Sequence, residues 1–162
     1  MTSKLKLAGA GVAVVVVIAA IAYVFTTPYN RTPGVRLGGT ETAAPADWRT
    51  VDNGPLMQIK PAGFPPLVIN IWYVGTAEGV ISATRPDNGY WGNRMRANSN
   101  GWIRIGDAAY EMQAEEILNP TDRNRMLQAY VDKYNLESVP GMNYAALTDP
   151  DLPWEVFLWT AR

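Results

Sequence analysis

The chain has 162 residues, 14 basic and 15 acidic side chains, a formal charge of −1, and neither cysteine nor histidine. Absence of Cys removes disulfides, thiol catalysis and thiolate metal sites, and absence of His removes Ser-His-Asp catalysis, imidazole metal sites and His-ligated haem. Residues 26–162 hold 12 basic against 15 acidic groups; with no basic surplus to neutralise phosphates, nucleic acid is not an expected partner.

The first element is the uncharged run Leu7 to Phe25, 19 residues long and preceded by Lys4 and Lys6. As a helix it would span about 28 Å at ~1.5 Å per residue, close to the ~30 Å hydrocarbon thickness of a bilayer. Val is a poor helix former in water, but in lipid every backbone group must bond internally, which favours the helix. Lys4 and Lys6 mark the cytoplasmic end, and Tyr23 and Phe25 fall where interfacial aromatics sit. Residues 1–25 are therefore expected to be a single-pass transmembrane anchor, with the C-terminal domain on the periplasmic or other extracytoplasmic side. Ala20-Ile21-Ala22 also suits a signal-peptide cleavage site, but the run is long for a secretory signal. Gly9 and Gly11 would allow close packing against another membrane helix.

Residues 26–46 are rich in Pro, Gly, Thr and Ala and lack periodicity, so they read as an extended linker. The domain that follows, residues 47–162, is long enough for one hydrophobic core. Two short extended pieces are expected around Trp48-Val51 and Leu56-Ile59, separated by the turn Asp52-Asn53-Gly54-Pro55. After the loop Pro61 to Pro66, Leu67 to Val74 reads as a strand buried on both faces, because its apolarity is nearly continuous. A loop at Gly75 to Gly79 leads to a strand over Val80 to Arg85.

A short helix is predicted over Asn88 to Asn98, with Trp91 and Met95 on one face. Strand Gly101 to Ile105 and a Gly106-Asp107 turn come next. The return strand alternates Tyr110, Met112 and Ala114 inward with Glu111, Gln113 and Glu115 outward. Asn119-Pro120-Thr121-Asp122 supplies an N-cap, a helix-starting Pro and an acid in the first turn. Met126, Leu127, Tyr130, Val131 and Tyr134 form the stripe of the resulting helix. Leu136 to Pro153 is irregular, and Trp154 to Thr160 reads as a closing strand. The sum is a mainly β fold, a small split β-barrel with peripheral helices behind one N-terminal transmembrane helix.

From Trp91 through Arg96-Ala97-Asn98, the strand ending at Gly106-Asp107, Tyr110-Glu111 and the helix from Asn119-Pro120, the sequence resembles the flavin-reductase-like split barrels. It is most similar to the deazaflavin-dependent nitroreductase branch, related to pyridoxamine phosphate oxidases. The resemblance covers roughly Leu67 to Tyr134, with Val156 to Arg162 as the closing strand. It implies an FMN or deazaflavin cofactor held across a homodimer interface. It also implies a loop rich in Ser, Thr, Gly and Arg that holds the cofactor phosphate ahead of strand Leu67-Val74. In this chain that loop is Lys60-Pro61-Ala62-Gly63-Phe64-Pro65-Pro66. Its prolines have no N–H to donate, and only Lys60 carries charge, so the phosphate loop is degenerate. Arg94 stands where the family usually has Asn, and Ser99 where it has Pro.

The candidate cofactor-binding residues are Lys60, Arg85, Arg94 and Arg96, as a cationic cluster for a phosphate, and Trp91, as a stacking platform for the ring. The plainer alternative makes Arg94 and Arg96 solvated helix residues, Arg85 a strand end and Trp91 a core anchor. No catalytic or metal-ligating residue is nominated. Glu115 and Glu116 point to opposite faces of a strand and cannot share chemistry. The expected role is a non-catalytic accessory or assembly subunit of a larger membrane complex, touching the bilayer through residues 7–25 and other membrane subunits through the rest. Alternatives are a membrane-tethered FMN- or deazaflavin-dependent oxidoreductase and a binder of a hydrophobic small molecule such as a quinone or lipid. No cofactor is favoured by the residues themselves.

Overall fold

The fold is known from a computed structural model, which describes residues 2–86 and 89–162, the first ten of these by backbone alone. A long helix α1 (Thr2–Val24) leads to a two-residue strand β1 (Thr40–Glu41) and a 3-10 turn (Trp48–Val51). Strands β2 (Leu56–Pro61), β3 (Ile69–Trp72), β4 (Val74–Gly75) and β5 (Val80–Thr84) follow. Helix α2 (Tyr90–Ala97) then precedes the hairpin β6 (Asn100–Ile105) and β7 (Ala108–Glu116). Helix α3 (Pro120–Tyr134), the single turn α4 (Tyr144–Leu147) and β8 (Glu155–Ala161) complete the chain.

The strands hydrogen-bond in the order β3-β2-β6-β7-β8-β5-β4, every neighbouring pair antiparallel. Only Tyr73 separates β3 from β4. The two edges of the sheet are therefore two halves of one stretch of chain, and the sheet is a barrel closed except at that residue. Alternation fills its interior: Met57 and Ile59 from β2, Ile103 from β6, Tyr110 and Met112 from β7, and Phe157 and Trp159 from β8. Helix α2 adds Trp91 and Met95 to this core. A second apolar layer lies between α3 and the barrel wall, where Met126, Leu127, Tyr130 and Val131 meet Ile81, Ala83 and Val156. Gly106, at φ +58, makes the β6–β7 turn in the left-handed region that favours glycine.

Burial on both faces falls on β5 rather than on the β3 stretch, where the sequence placed it. Val80 and Ser82 face the barrel and Ile81 and Ala83 face α3, all buried. In β3, by contrast, Ile69 and Ile71 are half-buried and Trp72 is exposed. The cause is the break at Tyr73. The register of β4 with β5 pairs Val74 with Ile81 and, continued, would bring Tyr73 opposite Ser82 and Trp72 opposite Ala83, but the Tyr130 hydroxyl stands between Trp72 and Ala83. It accepts from the Ala83 N–H at 3.0 Å and shares its proton between the carbonyls of Trp72 at 2.6 Å and Ile81 at 3.2 Å. One residue on, the Tyr134 hydroxyl accepts from the Tyr73 N–H at 2.9 Å. Lys133 donates to the Tyr73 carbonyl at 2.6 Å and pairs with Asp52. Side chains of α3 thus complete the backbone bonding that the seam interrupts.

The expected extended piece at Trp48-Val51 is instead the 3-10 turn. The Asp47 side chain caps it by accepting the Arg49 N–H at 3.0 Å, and Trp48 is driven into the core against Tyr110, ring centroids 4.9 Å apart. Residues 26–46 are not a free linker either. Gly34 and Val68 exchange both backbone bonds at 2.8 Å, Val35 and Leu37 are buried, and β1 pairs in parallel with Ala108 and Ala109 of β7. Val35 and Leu37 are two apart, so an extended chain turns both to one face. That face covers the barrel, and the segment is a strap. Gly34 permits the close approach, since a Cβ there would strike the backbone of Thr27 and Pro28.

The predicted transmembrane stretch Leu7 to Phe25 is helical as far as Val24. Among the described residues, no helix is long and apolar enough to cross a membrane. Most of the expected span's first third, with Lys4, Lys6, Gly9 and Gly11, lies outside the residues whose side chains are described. From Val12 onward the apolar side chains of α1 are exposed.

Candidate functional site

Of the five residues singled out as a cofactor site, Lys60 lies on β2, Arg85 just past β5, and Trp91, Arg94 and Arg96 on α2, and their side chains take different partners. Lys60 sits on β2 directly across from Trp102 of β6, its ammonium 5.7 Å from the indole centroid. Arg85 is exposed just past the end of β5. Trp91 is buried in the barrel core and leans on Phe157 with centroids 4.9 Å apart. Its ring packs inside and offers no free face for stacking. The plainer reading of Trp91 as a core anchor describes it.

Arg94 and Arg96 lie two residues apart on α2 and turn to different partners. Arg94 donates to the Pro65 carbonyl at 2.7 Å and to the Tyr90 hydroxyl, with its guanidinium 4.4 Å from the Tyr90 centroid. It therefore braces the proline-rich loop after β2 from the side. Arg96 makes a bidentate pair with Glu116, both contacts 2.7 Å, and meets Glu155 at 2.8 Å. The Glu116 hydrogen bonds come first in raising its pKa above the ordinary arginine value. Two carboxylates fully commit this guanidinium, so it is neither a solvated helix residue nor an open anion site.

Two features were missed by reading the chain. The first is an open groove of about 240 Å³ on the outer barrel face, lined by Leu37, Gly38, Gly39 and Glu41 of the strap and by Lys60, Trp102 and Ala109. Lys60 is the one predicted site residue on its wall. Trp102 has a second cation nearby, the Arg162 guanidinium at 5.9 Å. Composition could not reveal this groove, because half of its wall comes from a segment that reads as linker.

The second missed feature is the seam cluster of Tyr73, Tyr130, Lys133, Tyr134 and Asp52. Its signal was present: Tyr130 and Tyr134 stand four apart on an otherwise apolar stripe, and a buried phenol needs a partner. Burial pushes the Tyr130 hydroxyl well above the usual tyrosine range, with Tyr134 adding to the effect. Burial likewise raises Tyr73 and Tyr134. A proton-transferring group needs a pKa near the working pH. These phenols move away from it, and their hydrogen-bonding capacity is spent on backbone, so the cluster is structural. Among the described residues, no group of three or more acidic side chains could hold a metal ion.

No family model matches the chain, and no curated protein matches it by sequence. Solved structures do. The crystal structure of HutZ, the heme storage protein from Vibrio cholerae, matches with a TM-score of 0.55 at 10% identity, over 69% of this chain and 84% of that one. An FAD-binding protein from Mesorhizobium loti matches with a TM-score of 0.50 at 17% identity, again over 69% and 84%. A NimC/NimA family protein from Clostridium acetobutylicum gives 0.48 at 11%, over 68% and 75%. The fold shared with these structures is a split barrel. At these identities the likeness extends to the fold alone, because sites are grafted on folds.

Proposed function

We propose that this chain is a membrane-tethered split barrel acting as a non-catalytic accessory or assembly subunit of a larger membrane complex. The supporting observation is the fate of the expected cofactor residues. Trp91 is consumed by the core, Arg96 by Glu116 and Glu155, and Arg94 by the loop that would have cradled a phosphate. That loop keeps its three prolines at 61, 65 and 66. In this reading the phosphate loop is degenerate, the barrel persists as a scaffold, and α1 with its exposed Val-rich side chains is the tether. The test is purification of the full chain in mild detergent, with an absorption spectrum beside a gel of accompanying proteins. A colourless protein that brings membrane subunits with it is the expected result. A near-stoichiometric flavin or deazaflavin band would overturn the reading, as would a monodisperse monomer without partners.

One observation favours a second reading, binding of a flavin in the groove beside Lys60. Trp102 offers an indole to a planar ring, and Lys60 has no carboxylate partner among the described residues. The fit is partial: a ring is accommodated, but a single ammonium faces the phosphate and Glu41 stands on the same wall. In this reading the bound group would supply hydride chemistry, and the protein would only orient it. Haem is the weaker counterpart, since the chain has neither His nor Cys to ligate iron. FMN titration of the purified chain, followed by flavin fluorescence, separates the readings. Saturable quenching abolished by Trp102→Ala supports the groove, and an unchanged spectrum rejects it.

A further inference from the structure

The end of the barrel nearest α1 carries an exposed aromatic loop and cations that the tether alone does not explain. The connection from helix to barrel is short and fastened. Thr26 donates to the Tyr23 carbonyl through its N–H at 3.1 Å and its hydroxyl at 2.8 Å. The Thr26 carbonyl accepts from the N–H groups of Val35 at 2.8 Å and Arg36 at 2.9 Å. Gly34, packed against Thr27 and Pro28, is bonded to Val68. Val68 ends the connection between β2 and β3, so that connection and the exit of α1 share one end of the barrel.

At the tip of the same connection Phe64 is 91% exposed. The loop is braced, with the Ala62 N–H bonded to the Asn100 carbonyl at 3.0 Å and the Pro65 carbonyl bonded to Arg94. Tyr90, beneath Arg94, is also exposed. Residues 25–39, 60–70 and 89–100 contain Arg31, Arg36, Lys60, Arg94 and Arg96 and not one Asp or Glu. Of these five, only Arg96 has a carboxylate within ion-pair distance among the described residues. Arg36 also sits 5.9 Å from the ring of Phe25, the last residue of the apolar run. Apolar rings held among unpaired cations are the composition of a surface that seats at the headgroup level of an anionic bilayer.

The geometry points to a second membrane contact, in which the Phe64 loop inserts into the same leaflet that α1 enters, with Arg31 and Arg36 facing lipid phosphates. This rests on the reading of α1 as a membrane tether. It adds that the barrel lies down on the bilayer by a defined end and does not swing above it.

The natural absence of cysteine allows single labels to be placed anywhere in the full chain. An environment-sensitive fluorophore would be attached to Val16→Cys, Phe64→Cys and Glu78→Cys in turn. Glu78 lies in the exposed β4–β5 turn at the opposite end of the barrel. Each protein would be reconstituted into phosphatidylcholine–phosphatidylglycerol vesicles containing nitroxide-labelled lipid. The expected result is a blue shift and quenching at positions 16 and 64, with position 78 behaving as in buffer. Quenching at 16 with an aqueous signal at 64 overturns this contact and leaves the tether intact. An aqueous signal at 16 overturns the tether and the contact together.

Discussion

The seam and the helix-exit end treat polar side chains in opposite ways. At the seam, three phenols, a lysine and an aspartate are drawn inward, and the backbone groups beside Tyr73 are bonded within the chain. At the helix-exit end, Arg31, Arg36 and Lys60 have no carboxylate within ion-pair distance among the described residues, and the rings of Phe64 and Tyr90 are exposed. Groups that hold the fold are satisfied internally, whereas groups left open are available to something else. A residue's type does not separate the two cases; its partners do.

The contrast can be broken most severely at Tyr130. Truncation by Tyr130→Ala removes a buried ring and the bridge between β3 and β5, and is expected to cost about 3–5 kcal/mol, as for other large aromatic truncations. Chemical denaturation of the full chain in detergent reads it directly. Tyr130→Phe keeps the ring and orphans the Ala83 N–H and the Trp72 carbonyl, for an expected loss of about 1–3 kcal/mol. If the two variants were equally stable, the hydroxyl bridge would carry the whole effect and packing none.

Alkaline pH sharpens the comparison. Tyr73, Tyr130 and Tyr134 all have folded pKa values raised above the ordinary 10.0. Above that value the unfolded chain loses phenolic protons that the folded chain keeps, so the folded state binds more protons and stability falls as pH rises. The stabilisation is fully present below pH 10.0. Denaturation midpoints should decline above it, and less steeply in Tyr134→Phe. The smallest effect belongs to the other region: Phe64→Ala should change stability by no more than about 0.5 kcal/mol. A larger loss would mean that the ring supports the fold and is not held out for a partner.

Where local pattern decides structure, the sequence was legible. The β6–β7 hairpin alternates as read, and α3 begins at its Asn119 cap, whose side chain accepts the Thr121 N–H at 2.9 Å. The split of one expected strand into β3 and β4 was not legible. It depends on Tyr130, which reaches Trp72 across 58 residues of chain. The strap was hidden for a related reason, since its docking rests on two apolar residues in a segment whose Pro and Gly content signals coil. For the candidate site, residue types were found but not their commitments. Nothing local to Arg96 announces Glu116 and Glu155, and nothing near Lys60 announces that Leu37 and Gly38 will form a wall opposite.

The two-residue strand β1 has a consequence for handling this protein. β8 pairs with β7 only from Met112 onward, so the first residues of β7 have an edge that β8 does not reach. Thr40 and Thr42 cover it through backbone bonds to the Asp107 and Ala109 carbonyls at 2.8 and 2.9 Å. A chain trimmed at Asp47 to remove the apolar helix would also remove this cover. It would leave an open strand edge beside the uncovered footprint of Leu37, an invitation to edge-to-edge aggregation. Trimming at Thr26 keeps the strap, and with it the barrel's own protection against self-pairing.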